Sequence, residues 1–251
     1  MQLVGYDRSP DPALVLASDG VVDRVSLTSG TELGYRLGDR HCAGDRIDDA
    51  HEPCAAAAVP WCPDHTRTWV CARCRGACSL PTAACTEPHA VYLALFAPDL
   101  VKVGVTKRRR IERRLAEQGA DRGAVLFHAA NGRIARRIEC RLADRYPDRV
   151  RTPVKLRGLS AAVDDDTWAS LIDRYRPHRT IRPEYGFAVS RQPIPATIAH
   201  GTVRGVKGRL LVLDHGGTAY VADLRELVGH DVEYAPDDGP VVQQDLVAFD
   251  R

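Results

Sequence analysis

The sequence lacks the long apolar runs that a membrane or secreted protein needs. Its longest charge-free apolar run, from Pro88 to Pro98, has 11 residues, against the roughly 18 of a spanning helix. The first twenty residues carry Asp7, Pro10, Asp11 and Pro12 and no apolar signal core. No internal repeat is visible at the roughly 20–50-residue periods of solenoids, and the only low-complexity stretch is Ala55 to Ala58. These absences predict a cytoplasmic globular protein with no membrane partner. Its 251 residues, 44% apolar and 27% charged, suit one large or two small domains.

Net charge is also nearly absent, at +2, but its distribution is uneven. Residues 101–157 hold 17 Lys/Arg against 6 Asp/Glu, a net +11. The flanks, 1–100 and 158–251, are net −5 and −4. A basic centre concealed by acidic flanks points to a polyanion partner, DNA or RNA. Lys107, Arg108, Arg109 and Arg110 are the densest basic run and the candidate grips on a nucleic-acid backbone.

Cysteine is the opposite case: seven of the eight lie between Cys42 and Cys85. In a reducing compartment disulfides rarely persist, so such a cluster reads as metal ligands. Cys62-Pro-Asp-His65 and Cys71-Ala-Arg-Cys74 each separate two ligands by two residues, which lets a tight turn present both to one tetrahedral ion. Thiolates and imidazole favour Zn²⁺. Cys42, Cys54, Cys62, His65, Cys71, Cys74, Cys78 and Cys85 make eight ligands, enough for two closed, structural sites. One partition joins Cys62, His65, Cys71 and Cys74, leaving Cys42, Cys54, Cys78 and Cys85 for the second. An interleaved pairing is equally allowed, and His41, His51 or His89 could replace a member. Cys140 sits in a helical pattern and reads as a packing residue.

Apolar periodicity orders the rest. Short strands are expected at 2–6, 13–17 and 21–27, and a cysteine module over 41–88. A buried strand at 90–97 and a second at 100–106 form a hairpin. A helix over 108–118 ends at Gly119. A strand at 124–129 precedes a helix over 132–146 with Ile134, Ile138 and Leu142 on one face. Asp164–Asp166 cap a helix over 167–176. The prolines of 177–197 read as a linker. The end is β-rich, at 201–206, 209–213, 219–222 and 241–249, with a hairpin turn at His215-Gly216-Gly217. Strands from residues 1–40 and 198–251 could pair into one small sheet or barrel.

Within 89–176 the motifs Ala90-Val91-Tyr92 and Lys102-Val103-Gly104, nine residues apart, followed by Thr106 and Arg113, resemble the paired motif of the GIY-YIG nuclease superfamily. Glu139 stands where that superfamily carries its metal-binding carboxylate. More widely, the cysteine cluster, Glu87-Pro88-His89, Glu117-Gln118-Gly119-Ala120 and Gly205-Val206-Lys207-Gly208 are similar to an uncharacterised family of prokaryotic zinc proteins, a domain of unknown function with a GIY-YIG-like core. The resemblance implies an α+β fold: an antiparallel sheet with flanking helices, beside the zinc module and the terminal strands.

It also implies roles. Tyr92 would lie near an attacking water, Arg113 would grip phosphate, and Glu139 would hold one Mg²⁺ or Mn²⁺ acting as a Lewis acid. Gly104 would permit close packing of strand and helix, with Thr106 beside it as a structural residue. The sequence departs from the pattern at Ala90, in place of glycine, and at Lys102, in place of tyrosine, where the lysine could contact phosphate as a point charge. Active members usually carry a late asparagine, whereas the single asparagine here, Asn131, precedes Glu139. The resulting expectation is a zinc-containing nucleic-acid-binding protein that could also cut phosphodiester bonds. The alternative is a non-catalytic zinc protein serving as a protein-interaction scaffold.

Overall fold

The computed structural model describes residues 1–66 and 86–237. Cys71, Cys74, Cys78, Cys85 and the strand expected over 241–249 lie outside them. The described chain is α+β, mostly sheet with a few helices. It opens with β1 (Gln2–Asp7), β2 (Ala13–Ser18) and β3 (Val21–Ser26), an antiparallel meander. Asp19 and Gly20, both at positive φ, make the tight turn between the last two. Next come β4 (Glu32–Arg40), β5 (Asp45–Ile47) and β6 (Ala50–Glu52).

A second group begins with β7 (His89–Phe96) and β8 (Leu100–Lys107), paired antiparallel in full register. Residues Arg108–Arg110 form a 3-10 turn, so the expected helix begins later, as α1 (Ile111–Gln118). Gly119 ends it at φ +74°, its N–H bonding the Ala116 and Leu115 carbonyls. After β9 (Arg122–Ala129) come α2 (Gly132–Ala143), α3 (Thr152–Arg157) and α4 (Asp165–Tyr175). The Asn131 side chain caps α2, and Asp164 caps α4. The buried stripe of α2 runs through Ala135, Ile138 and Leu142. Ile134 is 43% exposed instead of sharing that face, because Ala135 takes the inward place in the first turn.

The proline-rich stretch 177–197 is more than a linker. It carries β10 (Arg179–Ile181), which pairs with β9, and β11 (Ile194–Pro195), which pairs with a later strand. The chain continues as β12 (Ala199–Lys207), β13 (Leu210–His215), β14 (Thr218–Asp223), α5 (Leu224–Leu227) and β15 (His230–Tyr234).

Two sheets result. The first has the order β11-β14-β13-β12-β4-β15-β1-β2-β3-β6-β5, so strands from both ends of the chain share it. The second has the order β10-β9-β7-β8. All eight residues of β7 are buried, which explains its unbroken apolar run. One face, with Tyr92 and Phe96, packs on Ile111 and Leu115 of α1. The other, with Val91, Leu93 and Leu95, packs in one cluster with Ala135 of α2 and Leu171 of α4. In the second sheet β8 is an edge.

The sheets meet where two sequence motifs touch. A Cβ on Gly208 would lie 2.8 Å from the Gly119 nitrogen, and one on Gly119 would lie 3.2 Å from the Lys207 carbonyl oxygen. Only glycine permits this approach of two backbones. Beside it Lys207 Nζ bonds Asp121 Oδ1 at 2.6 Å, and the Tyr185 hydroxyl donates to the Ala120 carbonyl at 2.7 Å.

Candidate functional site

Two constellations carry chemistry. The first is Cys42, Cys54, Cys62 and His65, whose ligand atoms all lie within 4.8 Å of one another. Cys42 follows β4, Cys54 follows β6, and Cys62 and His65 close a turn whose His65 N–H bonds the Cys62 carbonyl. His65 Nδ1 stands 3.4 Å from Cys42 Sγ and 3.2 Å from Cys62 Sγ. Zinc with its usual bond lengths makes a tetrahedron with edges of about 3.5–3.8 Å, so this Cys3His set could hold a metal such as zinc. Burial opposes ionisation of Cys42, but the backbone N–H groups of Cys62 and Gly44 outweigh it and hold the thiol below its usual range.

Among the described residues Cys62 and His65 stand with Cys42 and Cys54, a grouping that the interleaved pairing allows, because β4 and β6 end at the same corner; the pairing with Cys71 and Cys74 lies outside the described residues. None of the three candidate replacement histidines belongs to this cluster of described residues. His41 contacts the Cys54 carbonyl, His51 contacts the Ala43 carbonyl, and His89, on β7, contacts the Glu87 carbonyl.

The second constellation is a cleft of about 890 Å³ at the β8 edge of the smaller sheet. Its floor is Tyr92, Lys102, Gly104 and Thr106. The cross-strand register sets Tyr92 opposite Gly104 and Ala94 opposite Lys102. Arg110, Arg114 and Gln118 of the α1 segment and Arg136 and Glu139 of α2 line it. Arg8, just after β1, Lys155 of α3, and Arg209, between β12 and β13, also line it; Arg8 donates to the Glu117 carbonyl at the end of α1. Among the described lining residues, nine are Lys or Arg and four are Asp or Glu, a net +5.

The details fit an anion site. Burial pushes Lys102 down to about 8, with Arg114 the next contributor, and Lys155 down to about 8, with Lys102 next. Lys102 Nζ donates to the Asp148 carbonyl at 2.9 Å, and Lys155 Nζ to the Gln118 carbonyl at 2.6 Å. Gln118 Nε2 donates to the Tyr92 hydroxyl at 2.8 Å. Burial raises the Tyr92 pKa, so near neutral pH the phenol is a donor rather than a base. Glu117, nearly buried, binds Arg110, Arg113 and Arg114 at 3.1, 2.9 and 3.3 Å. Burial works against its charge, yet Arg8 and these arginines hold its carboxyl below the usual range. Glu139, 8% exposed, accepts from Arg136 at 2.6 Å.

Tyr92, Lys102, Gly104, Thr106 and Glu139 therefore line one cleft, together with Lys107 and Arg110. Arg113 does not line it. It is turned to solvent and paired with Glu117, and Arg114 occupies the cleft side. The signal for Arg114 was its four-residue spacing from Arg110 and Gln118, which puts the three on one helical face. Arg108 is exposed, and Arg109 pairs with Glu87 at 3.5 Å. Gly104 serves Tyr92 rather than a strand–helix contact: a Cβ there would lie 2.5 Å from the Tyr92 hydroxyl. Arg8, Lys155 and Arg209 carried no local signal, since tertiary folding alone brings them in.

No described helix is long and apolar enough to cross a membrane. A sequence model of the family described as "Protein of unknown function (DUF2797)" matches residues 62–232. No curated protein and no solved structure matches the chain.

Proposed function

As the chain belongs to the DUF2797 family, described as proteins of unknown function, we propose its function from its own residues: the cleft binds the phosphodiester backbone of DNA or RNA. The supporting observation is the convergence of nine cationic side chains against four acidic ones on one cleft. Guanidinium forks pair with phosphate oxygens in bidentate geometry, and each phosphate neutralised releases counterions. On this reading residues 89–176 are a GIY-YIG-like core, and the Cys3His cluster is a structural zinc staple beside it.

A second reading, cleavage, is favoured by Tyr92, Lys102 and Glu139 lining the same cleft. One carboxylate plus phosphate oxygens and water is a donor set that Mg²⁺ or Mn²⁺ accepts, and the ion would displace Arg136 from Glu139. Such an ion supplies Lewis-acid polarisation of a phosphate oxygen. Arg114 would hold the phosphate, Lys102 would neutralise its charge, and the Tyr92 hydroxyl would donate to it.

Binding of labelled DNA and RNA, titrated with salt, tests the first reading. Affinity is expected to fall steeply with salt, and Arg114→Ala to lower the log–log slope by about one, with Arg113→Ala changing it less. Affinity indifferent to salt overturns it. Incubation with Mg²⁺ or Mn²⁺ tests the second, which fails if no strand is cut or if Glu139→Ala cuts as well as wild type.

A further inference from the structure

We propose that Glu117 is a positioning residue for nucleic-acid binding, a buried carboxylate that holds the arginines of the α1 segment in place for a phosphate. This rests on the phosphodiester-binding reading above and adds the group that sets its geometry. Arg110, Arg113 and Arg114 lie at three- and four-residue spacings at the start of α1, where like charges repel. Left alone, they would spread into solvent. Glu117 meets all three. Its Oε1 accepts from Arg110 Nη2 at 3.1 Å and from Arg113 Nε at 2.9 Å, and its Oε2 accepts from Arg114 Nη1 at 3.3 Å.

Burial separates anchor from grip. The Glu117 side chain is 7% exposed, whereas those of its three partners are 40–56% exposed. Each bond takes one donor of a guanidinium fork and leaves others, so Arg110 and Arg114, which line the cleft, can still reach phosphate oxygens. One carboxylate against three guanidinium groups, with Arg8 donating to the Glu117 carbonyl as a fourth, leaves the group attractive to an anion. The same turn gathers other parts of the cleft. The Gln118 carbonyl accepts from Lys155 Nζ at 2.6 Å, and Gln118 Nε2 donates to the Tyr92 hydroxyl. The charge of Arg114 acts on Tyr92, Lys102 and Lys155 alike, so where its guanidinium stands bears on all three.

Glu117→Gln is the test, because charge and position predict opposite signs. Removing a carboxylate makes the cleft more positive by one charge, which by itself tightens the binding of a polyanion. Loss of positioning weakens it. Fluorescence anisotropy with labelled DNA and RNA oligonucleotides, at one salt concentration, is expected to show Glu117→Gln binding about tenfold more weakly than wild type, a difference of about 1.4 kcal/mol. Glu117→Asp, which keeps the charge and shortens the reach, is expected to fall between them. In an Arg114→Ala background the Glu117→Gln loss is expected to shrink, because a residue that acts through Arg114 has less left to place. A merely structural role gives the same loss in both backgrounds. Thermal melts set a temperature at which every variant compared is folded; if Glu117→Gln does not fold, Glu117→Asp carries the test, and wild-type affinity in it overturns the proposal. Affinity of Glu117→Gln equal to or tighter than wild type overturns it, as does an equal loss in both backgrounds. The phosphodiester reading survives those outcomes if wild type binds with a steep salt dependence. If wild type binds neither DNA nor RNA, both fail.

Discussion

At Lys102 and Lys155 two ammonium groups are held in a region where burial and neighbouring cations disfavour charge. Burial, the larger cause, brings each down to about 8, more than two units under the ordinary lysine at about 10.4. Below pH 8 both carry the charge a phosphate needs. Above it they lose that charge while surface lysines keep theirs. Affinity for a polyanion is therefore expected to decline between about pH 7 and pH 9 at constant ionic strength, well before the pH at which ordinary lysines titrate. Binding near pH 8 is expected to take up protons, because the bound phosphate favours the charged amines. Calorimetry in two buffers of different ionisation enthalpy reads that uptake. Folding stability moves the other way. The unfolded chain binds more protons between about pH 8 and pH 10.4, so these lysines make the fold more stable as pH rises through that window. Tyr92, Lys102 and Glu139 were legible because strand spacing and one helix fix them locally. Arg114 was confused with its neighbour Arg113, because motif order does not say which of two adjacent arginines faces inward. Arg8, Lys155 and Arg209 come from distant segments, so no window of sequence could group them.

Among the elements, β7, β8, α1 and α2 follow directly from apolar periodicity and caps. The chain's one asparagine, Asn131, proves to be a cap: its Oδ1 accepts from the Ile134 N–H at 2.9 Å. Several elements had weak signals, β4 and α3 among them. β4 is interrupted by Gly34 and Gly38 and by charged residues, yet Gly34 is needed there, since a Cβ would lie 2.7 Å from the Pro236 Cα. α3 has six residues and a proline in its first turn, too short for a period to show. The corner after β4 has little apolar content of its own, and its fixed points are the four ligands and a few backbone bonds, Cys42 N–H to Ala56 and Ala43 N–H to Pro60. Metal binding at this cluster would therefore be coupled to local folding. Purified protein is expected to contain at least one equivalent of zinc. Cys42→Ser is expected to lose one equivalent and to melt at lower temperature, as is wild type treated with a chelator. Equal metal content and equal melting in Cys42→Ser would refute a metal-held corner.

For the whole molecule, what matters is how two sheets are held at one spacing, because the cleft lies between their contributions. The contact is Gly119 against Gly208, two glycines from motifs some ninety residues apart, both at positive φ. Their roles in the sequence differ: Gly119 reads as a helix cap, and Gly208 as a turn residue. Neither reading reveals that they touch. The Lys207–Asp121 pair, with side chains 14% and 20% exposed, fastens the same seam. Gly208→Ala adds a Cβ 2.8 Å from the Gly119 nitrogen at φ +65°, which combines left-handed strain with overpacking. A loss of about 2–4 kcal/mol in denaturant unfolding is expected. Gly216→Ala is the control: its φ is +55°, but nothing lies within 4 Å, so strain alone costs about 1–2 kcal/mol. The two variants separate stability from spacing. At a temperature where both remain folded, Gly208→Ala is expected to weaken nucleic-acid binding because it shifts Arg209, the residue after it, relative to Arg110 and Arg114. Gly216→Ala is expected to bind as wild type does. Equal binding by both variants would mean that the seam sets stability alone and that the cleft's width is fixed elsewhere.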